Sequence, residues 1–418
     1  MKKEKKYPQI EPNLPIKRVW FIFYFVIIMA SLIVKLRFHA KVKKVGKLPK
    51  PPYILISNHS SMIDFYQALA LTFPHRPYWI STVEEFVPRF FIFRRIGVLA
   101  KRKFTNDPVG AMKYLEVLKK KKILIFYPEA RYTFDGESER IDTSIGRFVK
   151  AANVPVVFLK THGHYLYCPQ WSDFKPRHVK HIYAEGRCII HKYELETMTS
   201  EEIQERIENQ YIGLSEEEWQ SKNQIINSYL NRAVGMEHIL YKCPHCGTEF
   251  EMSSSGHELK CNHCGVTYEY LEDGRLQNKN GETIFDYPSK WYKWEKEECK
   301  KEVLNGTYHF EDEVRVEKLL GAKIGFVPLE GHFKLEHSVK DGYALKGVDN
   351  DFEFLRSPLQ NFAVHIDFHY LDRGPFIELA DQKVTYFIYP LTNPLALTKI
   401  HFANEHIYDL HKAELKKE

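Results

Sequence analysis

The chain has 418 residues, of which 60 are basic and 54 acidic, for a formal net charge of +6. A hydrophobic fraction of 44% and a charged fraction of 27% are ordinary for a globular protein and exclude disorder and collagen-like repeats, and a single long apolar run excludes a many-pass transporter. The small basic excess does not by itself point to nucleic acid, and at roughly 150 residues per domain two or three domains are expected.

In chain order, residues 1–18 are polar and basic. The uncharged run VWFIFYFVIIMASLIV follows at Val19–Val34, and then a second basic cluster of Lys35, Arg37, Lys41, Lys43, Lys44, Lys47 and Lys50. A helix over that run reaches about 24 Å, short of the ~30 Å hydrocarbon core. No small-x-small cleavage site ends it, which argues against a signal peptide. Cationic flanks on both sides suit a helix lying in, or dipping into, an anionic membrane surface. Residues 1–50 are therefore expected to form a basic N-terminus and membrane-anchoring helix that holds the protein at the cytoplasmic face of a membrane. A buried core helix is the alternative.

From Pro51 the texture changes. PYILISN (Pro52–Asn58) reads as a buried strand and SSMIDFYQALAL as the start of a helix. FVPRFFIFRRIGVLA (Phe86–Ala100) is apolar with interleaved arginines, suited equally to a membrane interface and to a core element with a charged rim. DPVGAMKYLEVLKKKK reads as a helix, ILIFYP (Ile123–Pro128) as a strand, and IGRFVKAANVPVVFLKT as a helix leading into the strand Val154–Leu159. Short apolar strands alternating with helices predict an α/β domain with a largely parallel sheet, placed at residues 51–236. Residues 199–236 read as helical, with capping-box patterns at Thr199/Glu202 and Ser215/Glu218.

Residues 237–275 carry four of the seven cysteines, in two C-x2-C-G knuckles, Cys243/Cys246 and Cys261/Cys264. Cys168, Cys188 and Cys299 are scattered. An odd count with paired motifs argues against a disulfide framework and for a reducing compartment. Each knuckle presents two thiolates from a tight turn, and two knuckles complete a tetrahedral sulfur shell. A structural Zn with no open position fits such a ribbon, and iron is the alternative. His245, His257 and His263 read as exposed non-ligands. The ribbon lacks a dense basic face, so nucleic acid is not expected as a partner. Residues 276–418 read as a linker helix (WYKWEKEECKKEVL, Trp291–Leu304) and a β-rich domain. Its stretches HFKLEH, NFAVHIDFHYL, PFIELA and KVTYFIYP alternate between turn signals, and a helix closes the chain. This order suits a small barrel closed by a helix, as in lipid-binding pleckstrin-homology folds.

The chemistry-bearing motif is Asn58-His59-Ser60-Ser61-Met62-Ile63-Asp64, an H-x-x-x-x-D directly after a strand, where ligands bind in open α/β sheets. Side chains five apart on a regular helix diverge by about 140°. Contact therefore requires His59 in the turn before the helix and Asp64 reaching back from its first turn. Asp64 would then accept one imidazole N–H and leave the other nitrogen free as a base. The alternative is a strand-end His followed by an ordinary helix-start acid. Tyr127-Pro128-Glu129-Ala130-Arg131 follows the second strand, and Val154-Pro155-Val156-Val157 opens the third.

In this order and spacing, over about residues 50–165, the three segments resemble the glycerolipid acyltransferase family that contains the 1-acylglycerol-3-phosphate acyltransferases. The resemblance implies an α/β acyltransferase domain, here with a small zinc ribbon and a C-terminal β-rich domain appended. It implies His59 and Asp64 as the catalytic pair and an acyl thioester, acyl-CoA or acyl-carrier protein, as donor. The acceptor is a lysophospholipid or glycerol-phosphate, with 1-acylglycerol-3-phosphate foremost, among membrane lipids and in phospholipid synthesis. The family's F-P-E-G-T-R block is similar to Tyr127–Arg131, which has one residue fewer between Glu and Arg and Ala130 in place of the usual Gly. The family's G-x-x-x-x-x-R block is approximated by Gly97–Arg102, also one residue short unless Lys103 takes the basic role. Arg102, Lys103, Glu129 and Arg131 are the expected substrate-binding groups, arginine being suited to a bidentate phosphate clamp. The competing reading is a non-catalytic, membrane-associated adaptor that binds lipid or a partner. The intact His59 and Asp64 favour the enzyme.

Overall fold

The computed structural model describes residues 16–417 except 18, 106, 173–176, 178–181, 320, 322–323 and 382–383. The basic residues expected before position 16, and Arg18, lie outside the described residues. The first half runs α1 (Phe21–Arg37), β1 (Lys41–Val45), β2 (Tyr53–Ser57), α2 (Ile63–Thr72), β3 (Tyr78–Thr82), α3 (Phe86–Ile96), β4 (Val98–Lys101), α4 (Pro108–Lys119), β5 (Ile123–Phe126), α5 (Ile145–Ala152), β6 (Val156–His162), α6 (His164–Tyr167), β7 (Tyr183–Ile190), α7 (Ser200–Glu208) and α8 (Glu216–Lys222).

Its seven strands form one sheet in the order β1-β7-β6-β2-β5-β3-β4. Every pairing is parallel except β6 with β7. The β2 sequence YILIS buries all its side chains, as a central strand covered on both faces must. Because β2 lies between β5 and β6, parallel to both, the loops after β2, β5 and β6 emerge together at one edge of the sheet. That edge positions the site.

Two elements depart from the sequence reading. Residues 199–236 are helical only in α7 and α8. Thr199 makes both halves of its capping box, and Ser215 accepts from the Glu218 amide, but beyond Lys222 the asparagine-rich segment turns irregularly. Asparagine competes for backbone hydrogen bonds and disfavours helix interiors. The edge strand β1, KVKKV, carried no alternation of apolar and polar residues because it is solvent-exposed along most of its length.

The ribbon is an antiparallel sheet of β8 (Met252–Ser255), β9 (Glu258–Cys261), β10 (Thr267–Tyr270) and β11 (Leu276–Asn278). Helix α9 (Pro288–Leu304) leads to β12 (His309–Leu319), β13 (Phe326–Pro328), β14 (Phe333–Ser338), β15 (Gly342–Gly347), β16 (Glu353–Arg356), β17 (His365–Asp367), β18 (Phe376–Ala380), β19 (Thr385–Pro390) and α10 (Leu397–Leu415). These strands form one antiparallel sheet, β16-β15-β14-β12-β19-β18-β17, with β13 beside β12. Among the described residues its end strands β16 and β17 do not pair, so the expected small barrel is instead an open sheet. The closing helix α10 is present and packs on α9.

The C-terminal region shares its cores with the rest. Leu319, Phe376, Phe387 and Tyr389 join the core of the α/β sheet. Phe134 and Trp171 join that of the ribbon and C-terminal sheet.

Candidate active site

Three strand ends build the site. After β2, the Asn58 side chain bridges to β6, accepting from Thr161 N at 2.8 Å and donating to Thr161 O at 3.1 Å. The next residue, His59, is thereby fixed in the turn before α2, and Asp64 sits in the first turn of that helix. His59 Nδ1 lies 2.9 Å from Asp64 Oδ2. The same oxygen accepts from the amides of Ser60 (2.7 Å) and Ser61 (3.2 Å). Asp64 is fully buried. Burial works against its charge, but the imidazoles of His164 and His59 outweigh it and hold its pKa at about 2. His59 is shifted the other way. Burial lowers its pKa, and the hydrogen bond and charge of Asp64 only partly restore it. Its ring is stacked on Tyr127 (3.9 Å between centroids) and flanked by Tyr132 (4.2 Å), with 18% of the side chain still exposed.

After β5, the Glu129 carboxylate accepts from the amides of His59 (2.7 Å) and Glu139 (3.1 Å), and Thr133 N donates to His59 O. Glu129 is buried, which pushes its carboxyl well above the usual range. It ties the His59 turn to the loop after β5. Ala130 holds φ at +57°, in the left-handed region that an alanine occupies at a cost of roughly 1 kcal/mol.

Arg131 is buried away from solvent. Its guanidinium donates to Glu139 (2.7 Å), Glu405 (2.9 Å) and Val364 O (3.0 Å). It thus joins the loop after β5 to α10 and to the approach to β17. Replacing Arg131 by Met is expected to cost about 3–5 kcal/mol, because the Glu139 carboxylate and the buried Glu405 carboxylate lose their guanidinium partner and Glu405 keeps Lys296, and a urea midpoint measures it. A direct headgroup ligand would instead raise the acceptor KM and leave the midpoint in place.

Lys103 Nζ lies 2.9 Å from Glu84 and 3.9 Å from Glu378 of β18. Burial opposes its charge, but the two carboxylates outweigh this and keep it an ammonium. Arg102 is partly buried just beyond β4.

His59, Lys103 and Arg131 border one cavity of about 970 Å³. Its apolar part is lined by Val26, Ile27 and Ala30 of α1, Phe65, Trp79, Ile92, Phe93, Ile96, Tyr114 and Phe148. Its polar part is lined by His59, Glu84, Lys101, Lys103, Arg131 and Tyr132, with His365, Asp367 and Tyr370 from the C-terminal region. Sequence reasoning missed that C-terminal wall and missed His164, whose Nδ1 is hydrogen-bonded to Asp64 Oδ1. Neither residue carries a local motif.

Helix α1 covers the cavity and turns an apolar stripe outward: Ile22, Phe25, Met29, Ile33 and Leu36 are all exposed. Phe91 and Ile92 of α3 are exposed as well, and Arg95 lies over the rings of Trp20 and Phe91. Within the Phe86–Ala100 segment Phe86, Arg94 and Ile96 are buried while Phe91 and Ile92 face outward. Among the described residues no helix is long and apolar enough to cross a membrane.

In the ribbon the Sγ atoms of Cys243, Cys246, Cys261 and Cys264 all lie within 4.8 Å of one another. Cys243–Cys264 and Cys246–Cys261 are separated by 3.7 and 3.8 Å. Tetrahedral bonds of about 2.3 Å to one zinc place sulfurs ~3.8 Å apart, so the donor set fits. Gly247 and Gly265, at φ +74° and +80°, return their amides to Cys243 O and Cys261 O in two equivalent turns.

Residues 39–159 match the model of the acyltransferase family. The matched stretch runs from just before β1 into β6 and contains His59, Asp64, Glu129 and Arg131. Among solved structures, the 1-acyl-sn-glycerophosphate (LPA) acyltransferase PlsC from Thermotoga maritima is similar over 45% of this chain and 76% of its own, at 17% identity and a TM-score of 0.37. A comparison with curated proteins finds no match. The chain thus carries an acyltransferase-family domain, a four-cysteine cluster and a strand-rich C-terminal region.

Proposed function

We propose that this protein moves a fatty acyl group from an acyl thioester to the free hydroxyl of a lysophospholipid at a membrane surface, as a step in phospholipid synthesis. The observation that carries the reading is the His59–Asp64 pair beside a cavity that His59 and Lys103 line together with apolar residues of α1 and α3. Val26 and Ile92 belong to both the cavity lining and the exposed surface.

With Asp64 on Nδ1, His59 Nε2 takes the proton of the acceptor hydroxyl as its oxygen attacks the thioester carbonyl. Asp64 stabilises the imidazolium so formed. Collapse of the tetrahedral intermediate breaks the C–S bond, and the imidazolium returns its proton to the departing thiolate. The products are the ester and a free thiol. The acyl chains occupy the apolar cavity. Of the four expected substrate-binding residues, Lys103 faces the headgroup end, while Glu129 and Arg131 act by bracing the loops. Arg102 supplements the positive charge beside β4. The four cysteines hold one structural zinc, and the exposed cations from Lys35 to Lys50 favour an anionic, cytoplasmic membrane face.

Two measurements test this. Zinc-loaded protein on mixed vesicles, given acyl-CoA or acyl-carrier protein and a panel of lysolipids, is expected to esterify at least one acceptor. No transfer from either donor sinks the reading. The triple variant Ile22→Glu, Phe25→Glu, Ile33→Glu alters only exposed stripe residues. It is expected to bind anionic vesicles at least ~100-fold more weakly, each lost side chain being worth about 1.5–3 kcal/mol of burial. Unchanged sedimentation with vesicles would remove α1 as the membrane contact.

A further inference from the structure

Asp64 has two carboxylate oxygens, and each has its own imidazole. Oδ2 serves His59 and the amides of Ser60 and Ser61. Oδ1 accepts from His164 Nδ1. His164 is completely buried and does not line the cavity. Its Nε2 has no hydrogen-bond partner. A proton on Nε2 would be a buried donor without an acceptor, which is costly, so the proton belongs on Nδ1, facing Asp64.

The chain places this ring deliberately. β6 ends at His162, Gly163 turns at φ +80°, and α6 begins with His164. Glu216 of α8 clamps the turn, accepting from Gly163 N at 2.6 Å and lying 3.3 Å from His162 Nδ1. His162 is in turn stacked on Trp219.

We propose that His164 is a positioning residue for the catalytic base: by donating to Asp64 Oδ1 it fixes the carboxylate plane, reserves Oδ2 for His59, and divides the Asp64 charge between two imidazoles. This rests on the acyl-transfer reading for its effect on turnover, though not for its effect on His59 itself. Division of the charge moderates the basicity of His59. The base then stays neutral and ready at physiological pH, in the same direction as the burial that lowers its pKa.

The test compares His164→Leu, which keeps bulk and loses the donor, with His164→Asn, whose amide N–H stands near the position of Nδ1–H. For His164→Leu, kcat is expected to fall ~10–100-fold with KM for donor and acceptor little changed. The acid limb of kcat/KM should move to higher pH, because the whole Asp64 charge now faces His59. His164→Asn is expected to restore both. A merely structural histidine predicts lost stability, no movement of the acid limb, and no advantage of Asn over Leu.

The midpoint of His59 is also read without turnover, from the pH dependence of its carbethoxylation by diethyl pyrocarbonate, followed on the His59 peptide by mass spectrometry. An identical midpoint in wild type and His164→Leu overturns the proposal. An inactive wild type with a shifted midpoint overturns the functional reading alone. If His164→Leu does not fold, 15N-histidine spectra of the wild-type protein decide. A His164 proton on Nδ1 supports the proposal, and one on Nε2 overturns it.

Discussion

Replacing His59 by alanine is expected to lower kcat/KM for acyl transfer by about 10²–10⁴-fold, the usual contribution of a positioned general base. The fold should persist. His59 is partly exposed, and the Glu129 and Thr133 bonds to its turn use its backbone, which alanine retains. Asp64→Asn should be nearly as damaging, since an amide at that place favours the wrong imidazole tautomer. It should also be less stable, because Asp64 takes two backbone amides and two imidazoles in a buried position.

The pH profile follows with a definite sign. The base acts when neutral, so the rate falls as pH drops through the His59 pKa. Burial sets that pKa below 6.5, so the acid limb of kcat/KM should be centred below 6.5, with a plateau through neutrality. A folded His59→Ala protein with near-normal turnover would end the mechanism.

How much of this was legible in the sequence depends on the range of each interaction. The His59–Asp64 contact spans five positions, and its geometry followed from helix periodicity and a strand end. The sulfur cluster was legible for the same reason, two local turns each presenting a thiolate pair. His164 lies 100 positions from Asp64, and Glu405 lies 274 from Arg131. Nothing in the local pattern of a T-H-G-H turn or of a C-terminal helix announces such partners. Arg131 reads from its motif as a phosphate clamp, and its bonds to Glu139 and Glu405 appear only in the structure. The C-terminal sheet was recognised from its alternation, but period-2 patterning specifies a buried face without saying what is buried against it. Here that face and its flanking loop complete the cavity with His365, Asp367 and Tyr370. Tyr370 also donates to Glu84 O, which ties the sheet to the loop before α3.

Purified protein is expected to carry one zinc per chain in the Cys243, Cys246, Cys261 and Cys264 site, and Cys261→Ser should lose it. Structural zinc sites of four thiolates bind with apparent energies of about 10–16 kcal/mol, comparable with the ~5–15 kcal/mol stability of a whole domain. The ribbon's short strands have little core of their own, so losing the metal should unfold it. The consequence does not stop there. Cys243, Cys261, Leu259 and Tyr268 are packed in one core with Trp291 of α9, Phe402 of α10, and Phe134 and Trp171 of the α/β half. Trp291 Nε1 donates to Lys242 O, and Lys242 N donates to Glu295, so the first knuckle is pinned to α9. Helix α10 in turn carries Glu405, the partner of Arg131 in the loop after β5. Zinc loss should therefore loosen the C-terminal wall of the cavity and lower acyl transfer in step with the loss of structure, without shifting the acid limb set by His59 and Asp64. Cys168, Cys188 and Cys299 should be dispensable for metal. Elemental analysis of wild type and of the Cys261→Ser, Cys264→Ser double variant decides the matter: a folded, metal-free wild-type ribbon, or metal retained by the double variant, would exclude the four-thiolate zinc site.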